Sequence, residues 1–231
     1  VYTGSAPLDL GLKQRVEALF GQPLHYGYGL SEYAGSVFLT RVEAPRADTA
    51  AGHVVEGGEA RIVGPGGQDL APGEAGEIWL RGPGLMLGYF RDAAATAQVM
   101  RPGGWYASGD LGRFDADGAL FVVGRLKEMI IRSGFNVYPA EIEAVIGRFA
   151  GVHMCAVVGA PEADSNERIV AFVEMKPGAA LDEPALRTYL AEHLSPYKRP
   201  ARIEAIDAMP TTANGKVLKR ELQARAARPV G

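Results

Sequence analysis

The apolar positions of this chain change period twice. Leu8, Leu12, Val16, Leu19 and Phe20 recur at helical spacing, and Gly21 supplies a stop. Leu24-His25-Tyr26-Gly27-Tyr28 then reads as a short strand. With Val1-Tyr2-Thr3 ahead of the helix, the order is strand–helix–strand, as in an α/β layer. From about residue 45 to 125 short β-like runs (59–63, 77–81, 119–123) alternate with turn clusters such as Gly64-Pro65-Gly66-Gly67 and Asp115-Ala116-Asp117-Gly118. Only 93–100 reads as helix there, and closely spaced short strands predict a small barrel or sandwich.

Beyond Gly124 the pattern changes again. Residues 128–132 are strand-like, Pro139 suits the first position of a helix, and Ile142, Val145, Ile146 and Phe149 line one helical face. Apolar strands follow at 154–158 and 169–175, then a helix opened by Asp182 and running through Leu194. A strand at 202–208 and a helix at 217–225 complete the unit. The reading is therefore a mixed α/β and α+β chain in three parts. Residues 1–44 end an N-terminal α/β layer, 45–126 form a β-rich, barrel-like subdomain, and 127–231 form a C-terminal α+β domain.

Composition narrows the setting. The 231 residues carry 24 basic and 27 acidic side chains, a net charge of −3, which lacks the basic excess of a nucleic-acid binder. No run approaches the roughly 18 apolar residues of a membrane span, and no secretory-type leader is visible. One cysteine, Cys155, excludes a disulfide framework and a multi-cysteine metal site, which points to a reducing, cytoplasmic setting. Glycine (30) and proline (15) make up about a fifth of the chain, scattered as turns rather than gathered as a linker. Only six lysines occur among the basic residues (Lys13, Lys127, Lys176, Lys198, Lys216 and Lys219), so each merits attention in a chain that otherwise uses arginine. The abrupt β-like opening at Val1 reads as a piece of something longer.

Four segments carry candidate chemistry. In Tyr28-Gly29-Leu30-Ser31-Glu32, a hydroxyl and a carboxylate stand at the carboxyl end of a strand, where α/β sheets place ligands. Ser31 can donate to a phosphate, Glu32 can ligate Mg²⁺, and Tyr28 offers a flat face to a base. The plainer reading is a helix cap or turn. In Trp105-Tyr106-Ala107-Ser108-Gly109-Asp110-Leu111-Gly112, a carboxylate between glycines can present both oxygens to a vicinal diol, or can bond its own backbone in a tight turn. Residues 124–143 place charges (Arg125, Lys127) at the domain boundary, then a strand and a Gly-bearing turn that starts a helix; an ordinary linker and hairpin is the alternative. Pro210-Thr211-Thr212-Ala213-Asn214-Gly215-Lys216 sets a lysine at a turn before the last helix, where a cation is mildly unfavourable.

In this order and spacing, these segments resemble the adenylate-forming superfamily of acyl- and aryl-CoA synthetases, peptide-synthetase adenylation domains and firefly luciferase. Gly4-Ser5-Ala6-Pro7-Leu8 is similar to its adenine-side loop. Tyr28–Glu32 matches Tyr-Gly-x-Thr-Glu, with Ser31 for Thr. Residues 106–110 match Tyr-x-Thr-Gly-Asp, with Ser108 for Thr and Ala107 where a basic residue is common. Arg125-Leu126-Lys127 matches the hinge motif and Asn214-Gly215-Lys216 the catalytic-lysine motif. Residues 133–143 are most similar to acyl-CoA synthetases.

The resemblance implies an ATP-dependent acid–CoA ligase. Lys216 would bridge the acyl carboxylate and the α-phosphate, and Glu32 would hold Mg²⁺ over the phosphates. Asp110 would accept from both ribose hydroxyls with Arg125 beside it, while Ser5, Ala6 and Tyr28 surround adenine and Ser31 lies by the phosphates. Ser133, Gly134 and Phe135 would face the CoA pantetheine, and Lys127 would be the pivot on which a mobile C-terminal domain turns. Lys198 receives no role. The family's Gly-rich phosphate loop does not occur in these residues. An N-terminal portion of the same enzyme is therefore expected as partner, alongside a small carboxylic acid, ATP and CoA, and this piece alone is expected to be nearly inactive. Loading of a carrier protein, which the chain's end 15 residues after Lys216 disfavours, and a non-catalytic binding fragment are the competing readings.

Overall fold

A computed structural model describes residues 1–4, 8–162, 166–213 and 215–228. The chain divides into two compact units, Val1–Leu126 and Lys127–Gly231. The first contains β1 (Tyr2–Thr3), α1 (Leu10–Phe20), β2 (His25–Leu30), β3 (Gly35–Leu39), β4 (His53–Val54), β5 (Glu59–Val63), β6 (Gly76–Arg81), α2 (Ala93–Val99), β7 (Met100–Arg101), β8 (Trp105–Phe114) and β9 (Leu120–Arg125). The second contains β10 (Ile130–Arg132), β11 (Phe135–Val137), α3 (Pro139–Ile146), β12 (Val152–Pro161), β13 (Glu167–Met175), α4 (Glu183–His193), β14 (Arg202–Ala205) and α5 (Lys219–Ala226). The fold is of the mixed α/β class expected.

In the first unit β1 runs parallel to β2 across α1, and β3 and β4 extend that sheet antiparallel. A second sheet runs β5-β6-β8-β7, with β9 also paired to β8. One core, including Tyr26, Tyr28, Phe38, Ile62, Ile78 and Leu120, serves both sheets. Helix α1 starts where the Asp9 carboxylate accepts from the Leu12 N–H (3.0 Å) and ends at Gly21 in the left-handed region. Its apolar stripe corrects the sequence reading: Leu12, Leu19 and Phe20 are exposed, whereas Lys13 is buried. The Lys13 ammonium is accommodated because it donates to Glu17 Oε1 (2.5 Å) and to the Leu24 carbonyl (2.9 Å).

In the second unit β12 pairs antiparallel with β13, which pairs parallel with β14 across α4. Ile169, Ala171 and Val173 face a core shared with α3 and α4, while Val170 and Phe172 face α5. Both faces of β13 are thus covered, which explains its unbroken apolar run. Residues 133–134 correct another expectation. They do not lead into a helix but form the two-residue turn of the β10–β11 hairpin, both with positive φ (51° and 80°). The helix begins at Pro139, the first position expected for it. No helix among the described residues is long and apolar enough to cross a membrane.

Candidate active site

Residues 105–112 look like a turn in sequence, yet they lie inside the ten-residue strand β8. The strand tolerates this because it bulges against β6: Leu111 faces Glu77 and Ala107 faces Trp79, so three residues of β8 oppose Ile78 alone. Gly109 sits there at φ 72°, a conformation that suits glycine. Side chains replace the interrupted ladder. Ser108 Oγ donates to the Ile78 carbonyl (2.7 Å) and accepts from the Asp110 N–H (3.1 Å), and the Gly109 N–H donates to Glu77 Oε1 (3.0 Å).

The bulge presents Asp110 to two partners named from sequence. The Tyr28 hydroxyl donates to Asp110 Oδ2 at 2.7 Å, and Arg125, directly opposite on β9, holds its Nε 3.2 Å from Oδ1. Burial, then the neighbouring Asp110 charge, pushes the Tyr28 phenol above its ordinary range, so it remains a donor. Asp110 is half-buried, and each of its oxygens keeps a lone pair for a further donor. That capacity fits a ribose diol.

Glu32 lies in a 3-10 turn, Ser31–Tyr33, at the end of β2. The turn is clamped from below by Tyr33, whose hydroxyl donates to the Arg81 carbonyl (3.2 Å), and by the Met86 N–H donating to the Glu32 carbonyl (2.7 Å). Ser31 is exposed. The Tyr89 hydroxyl donates to Glu32 Oε1 at 3.0 Å. Tyr106 is raised above the ordinary phenol range by burial, by its hydrogen bond with Tyr89 and by the Glu32 charge. Sequence reasoning gave no role to Tyr89, Tyr106 or Glu77. Their contacts with Glu32 and Gly109 span 32 to 74 positions, a range at which spacing carries no signal.

One carboxylate with a free oxygen suits Mg²⁺, which takes one or two carboxylates and completes its shell with water and phosphate oxygens. No group of three or more His, Cys, Asp or Glu able to hold a metal occurs among the described residues.

Ser5 and Ala6 lie outside the described residues, as does Asn214. Lys216 is exposed in a turn closed by the Thr212 N–H donating to its carbonyl (2.8 Å) and by its own N–H donating to Thr212 Oγ1 (3.1 Å). It forms no ion pair among the described residues. Ser133, Gly134 and Phe135 are exposed at the hairpin tip, where the Phe135 ring stacks on Tyr197 with centroids 4.6 Å apart. Lys198, beside that stack, is paired with Glu141 at 2.6 Å. Lys127 is exposed and opens the second unit.

Two family models match: "AMP-binding enzyme" over residues 1–90 and "AMP-binding enzyme C-terminal domain" over residues 141–216. The chain belongs to the AMP-binding, adenylate-forming enzymes. It is 40% identical to the long-chain-fatty-acid–CoA ligase of Salmonella typhimurium, over 96% of this chain and 39% of that protein. It is equally similar to the feruloyl-CoA synthase of an Amycolatopsis species, over 96% of this chain and 45% of that protein. Among solved structures, ATP-bound MatB from Rhodopseudomonas palustris superposes with a TM-score of 0.91 at 33% identity, covering 98% of this chain and 45% of that one. The chain thus spans less than half the length of these relatives.

Proposed function

We propose that the protein carrying this chain is an ATP-dependent acid–CoA ligase, acting in the cytoplasm. The observation that carries the reading is the Tyr28–Asp110–Arg125 cluster, in a chain whose family is the AMP-binding enzymes. A carboxylate oxygen of the acid attacks the α-phosphorus of ATP, the bond to the bridging oxygen breaks, and pyrophosphate leaves. The CoA thiol, as thiolate, then attacks the acyl carbonyl and AMP leaves.

Both reactants of the first step are anions, so the protein's task is charge neutralisation and positioning. Asp110 accepts from the ribose hydroxyls, Arg125 and Tyr28 fix its carboxylate, and Tyr28 with Ser5 and Ala6 borders adenine. Glu32, oriented by Tyr89, and Ser31 face the phosphates; Mg²⁺ bound there would offset phosphate charge. Lys216, with no acidic partner among the described residues, supplies a cation to the carboxylate and α-phosphate. Ser133, Gly134 and Phe135 face the pantetheine in the second step, and Lys127 is the pivot between steps. The domains are those of the sequence reading: 1–44, 45–126 and a mobile 127–231. Two relatives are named for CoA thioester formation on different acids, which supports CoA as acceptor and leaves the acid at the level of a carboxylic acid.

The test uses the complete protein with a panel of fatty, aryl and dicarboxylic acids. Acid-dependent ATP–pyrophosphate exchange and CoA thioester formation are expected. Lys216→Ala should lower exchange by about 10²- to 10³-fold while thioester formation from supplied acyl-AMP persists. Exchange without CoA consumption would turn the reading toward a carrier protein. Absence of exchange with every acid would turn it toward a non-catalytic binding fragment.

A further inference from the structure

The β6–β8 bulge leaves one carboxylate that the reaction does not use. Glu77 is half-buried on β6, and both of its oxygens are committed: Oε1 accepts from the Gly109 N–H at 3.0 Å, and Oε2 accepts from the Trp79 indole N–H at 2.8 Å. The Trp79 ring is in turn flanked by the guanidinium groups of Arg61 (5.9 Å) and Arg101 (5.7 Å). Gly109 lies in the stretch where β8 has lost its ladder partners on β6. It is also the residue immediately before Asp110, and its φ of 72° sets the direction in which the following carboxylate leaves the strand.

We infer that Glu77 is the positioning residue for Asp110: by anchoring the Gly109 amide it fixes the bulge, and so fixes the angle at which Asp110 meets the two ribose hydroxyls. This rests on the ribose reading of Asp110 given above. Glu77 touches no substrate in this scheme and acts only through the peptide it holds. Ser108 secures the other side of the bulge through the Ile78 carbonyl and the Asp110 amide. The bulge is thus held by two side chains, one from each strand.

The consequence is a selective one. A bulge that loses its anchor keeps the sheet but blurs the aim of Asp110, so the loss falls on interactions with the ribose hydroxyls and not on chemistry at the α-phosphorus. In the complete protein, E77A should raise the KM for ATP about tenfold, as expected for loss of a well-aimed hydrogen bond to a charged group, and leave kcat within about twofold. The KM for 2′-deoxy-ATP, which keeps only the 3′-hydroxyl for Asp110 to hold, should rise less than that for ATP, so the preference for ATP over 2′-deoxy-ATP narrows. E77Q, which keeps one acceptor oxygen for the two donors, should give an intermediate value and remain folded at the assay temperature. W79F removes the indole donor but leaves Glu77 on Gly109, and should preserve the preference. If E77A and E77Q both keep the wild-type preference, Glu77 does not position Asp110, while the ribose reading stands. If the wild-type protein itself fails to distinguish the two nucleotides, the ribose reading falls and the inference falls with it.

Discussion

Tyr28 and Asp110 stand 82 positions apart and are joined by a 2.7 Å hydrogen bond from phenol to carboxylate. The bond ties the end of the α/β layer to the bulged strand of the second sheet, and it leaves Asp110 with Arg125 on its other oxygen. Tyr28 is 8% exposed, so the phenol cannot turn to water without opening the core. Structure and site are therefore coupled through this contact: whatever loosens it disturbs both a buried polar group and the carboxylate proposed to grip the sugar.

Tyr28→Phe should accordingly cost about 1–2 kcal/mol of stability, the range for a hydrogen bond to a charged group discounted for the water that reaches a partly exposed carboxylate. Both tryptophans, Trp79 and Trp105, belong to the first unit, so their fluorescence in a urea titration reports on that unit alone. The KM for ATP should rise severalfold in the same variant. Unchanged unfolding midpoint and unchanged KM together would mean that the contact contributes nothing in solution.

Gly29 is the neighbour that lets Tyr28 reach its place. A Cβ there would stand 2.2 Å from the Gly35 carbonyl oxygen and 2.7 Å from Ser36 Cα, both backbone atoms of β3 that cannot rotate away. Gly29→Ala should therefore push β2 and β3 apart and destabilise the first unit by about 1–3 kcal/mol, again read by tryptophan fluorescence. A midpoint equal to wild type would show that the β2–β3 bulge adjusts without cost.

Much of this was legible in the sequence, and the remainder was not for identifiable reasons. The mixed α/β class followed from changes of period, and the N-cap role of Asp182, which accepts from the Ala185 N–H at 2.9 Å, from its place before an apolar-periodic run. The motifs place Arg125 beside Asp110, as the structure does, whereas they set Tyr28 at adenine and give no sign of its hydrogen bond to Asp110. Strand β8 was missed because Gly109 and Gly112 read as turn residues, whereas a bulge stabilised by Glu77 and Ser108 makes Gly109 part of a strand. Periodicity misplaced the buried face of α1, because it cannot anticipate a lysine buried with two acceptors. Tyr89 left no trace, since its partner Glu32 lies 57 positions away.

Lys127 opens the second unit from an exposed position in the short turn Leu126–Glu128, where the chain is free of strand pairing. As the proposed pivot it must change its backbone torsions between the two half-reactions. Lys127→Pro fixes φ near −65° and removes that freedom. Adenylate formation should stay within about twofold of wild type and thioester formation should fall tenfold or more, the pattern of a hinge defect rather than a chemical one. Equal rates in both half-reactions for wild type and variant would move the pivot elsewhere.

Cys155 offers a probe of the second unit that needs no substrate. It lies on β12 opposite Val173, with its thiol directed at the Glu143 carbonyl at 3.3 Å. Burial, reinforced by the Glu143 carboxylate and only partly opposed by Lys219, pushes the thiol up to about 12 from an ordinary 9.0. At pH 8 the thiolate fraction is then on the order of 10³-fold below that of an exposed cysteine, so an aromatic disulfide reagent should label the native chain slowly and the urea-unfolded chain at once. The same shift fixes the sign of a pH effect. The folded state holds this proton more tightly, so the stabilisation is complete below the unfolded thiol pKa near 9 and is lost as pH rises toward 12. Between pH 8 and pH 11 the wild type should lose on the order of 2 kcal/mol more stability than Cys155→Ala, measured by urea unfolding followed by circular dichroism. Rapid native labelling at pH 8, or parallel pH profiles for the two proteins, would place the thiol in water and not against Glu143.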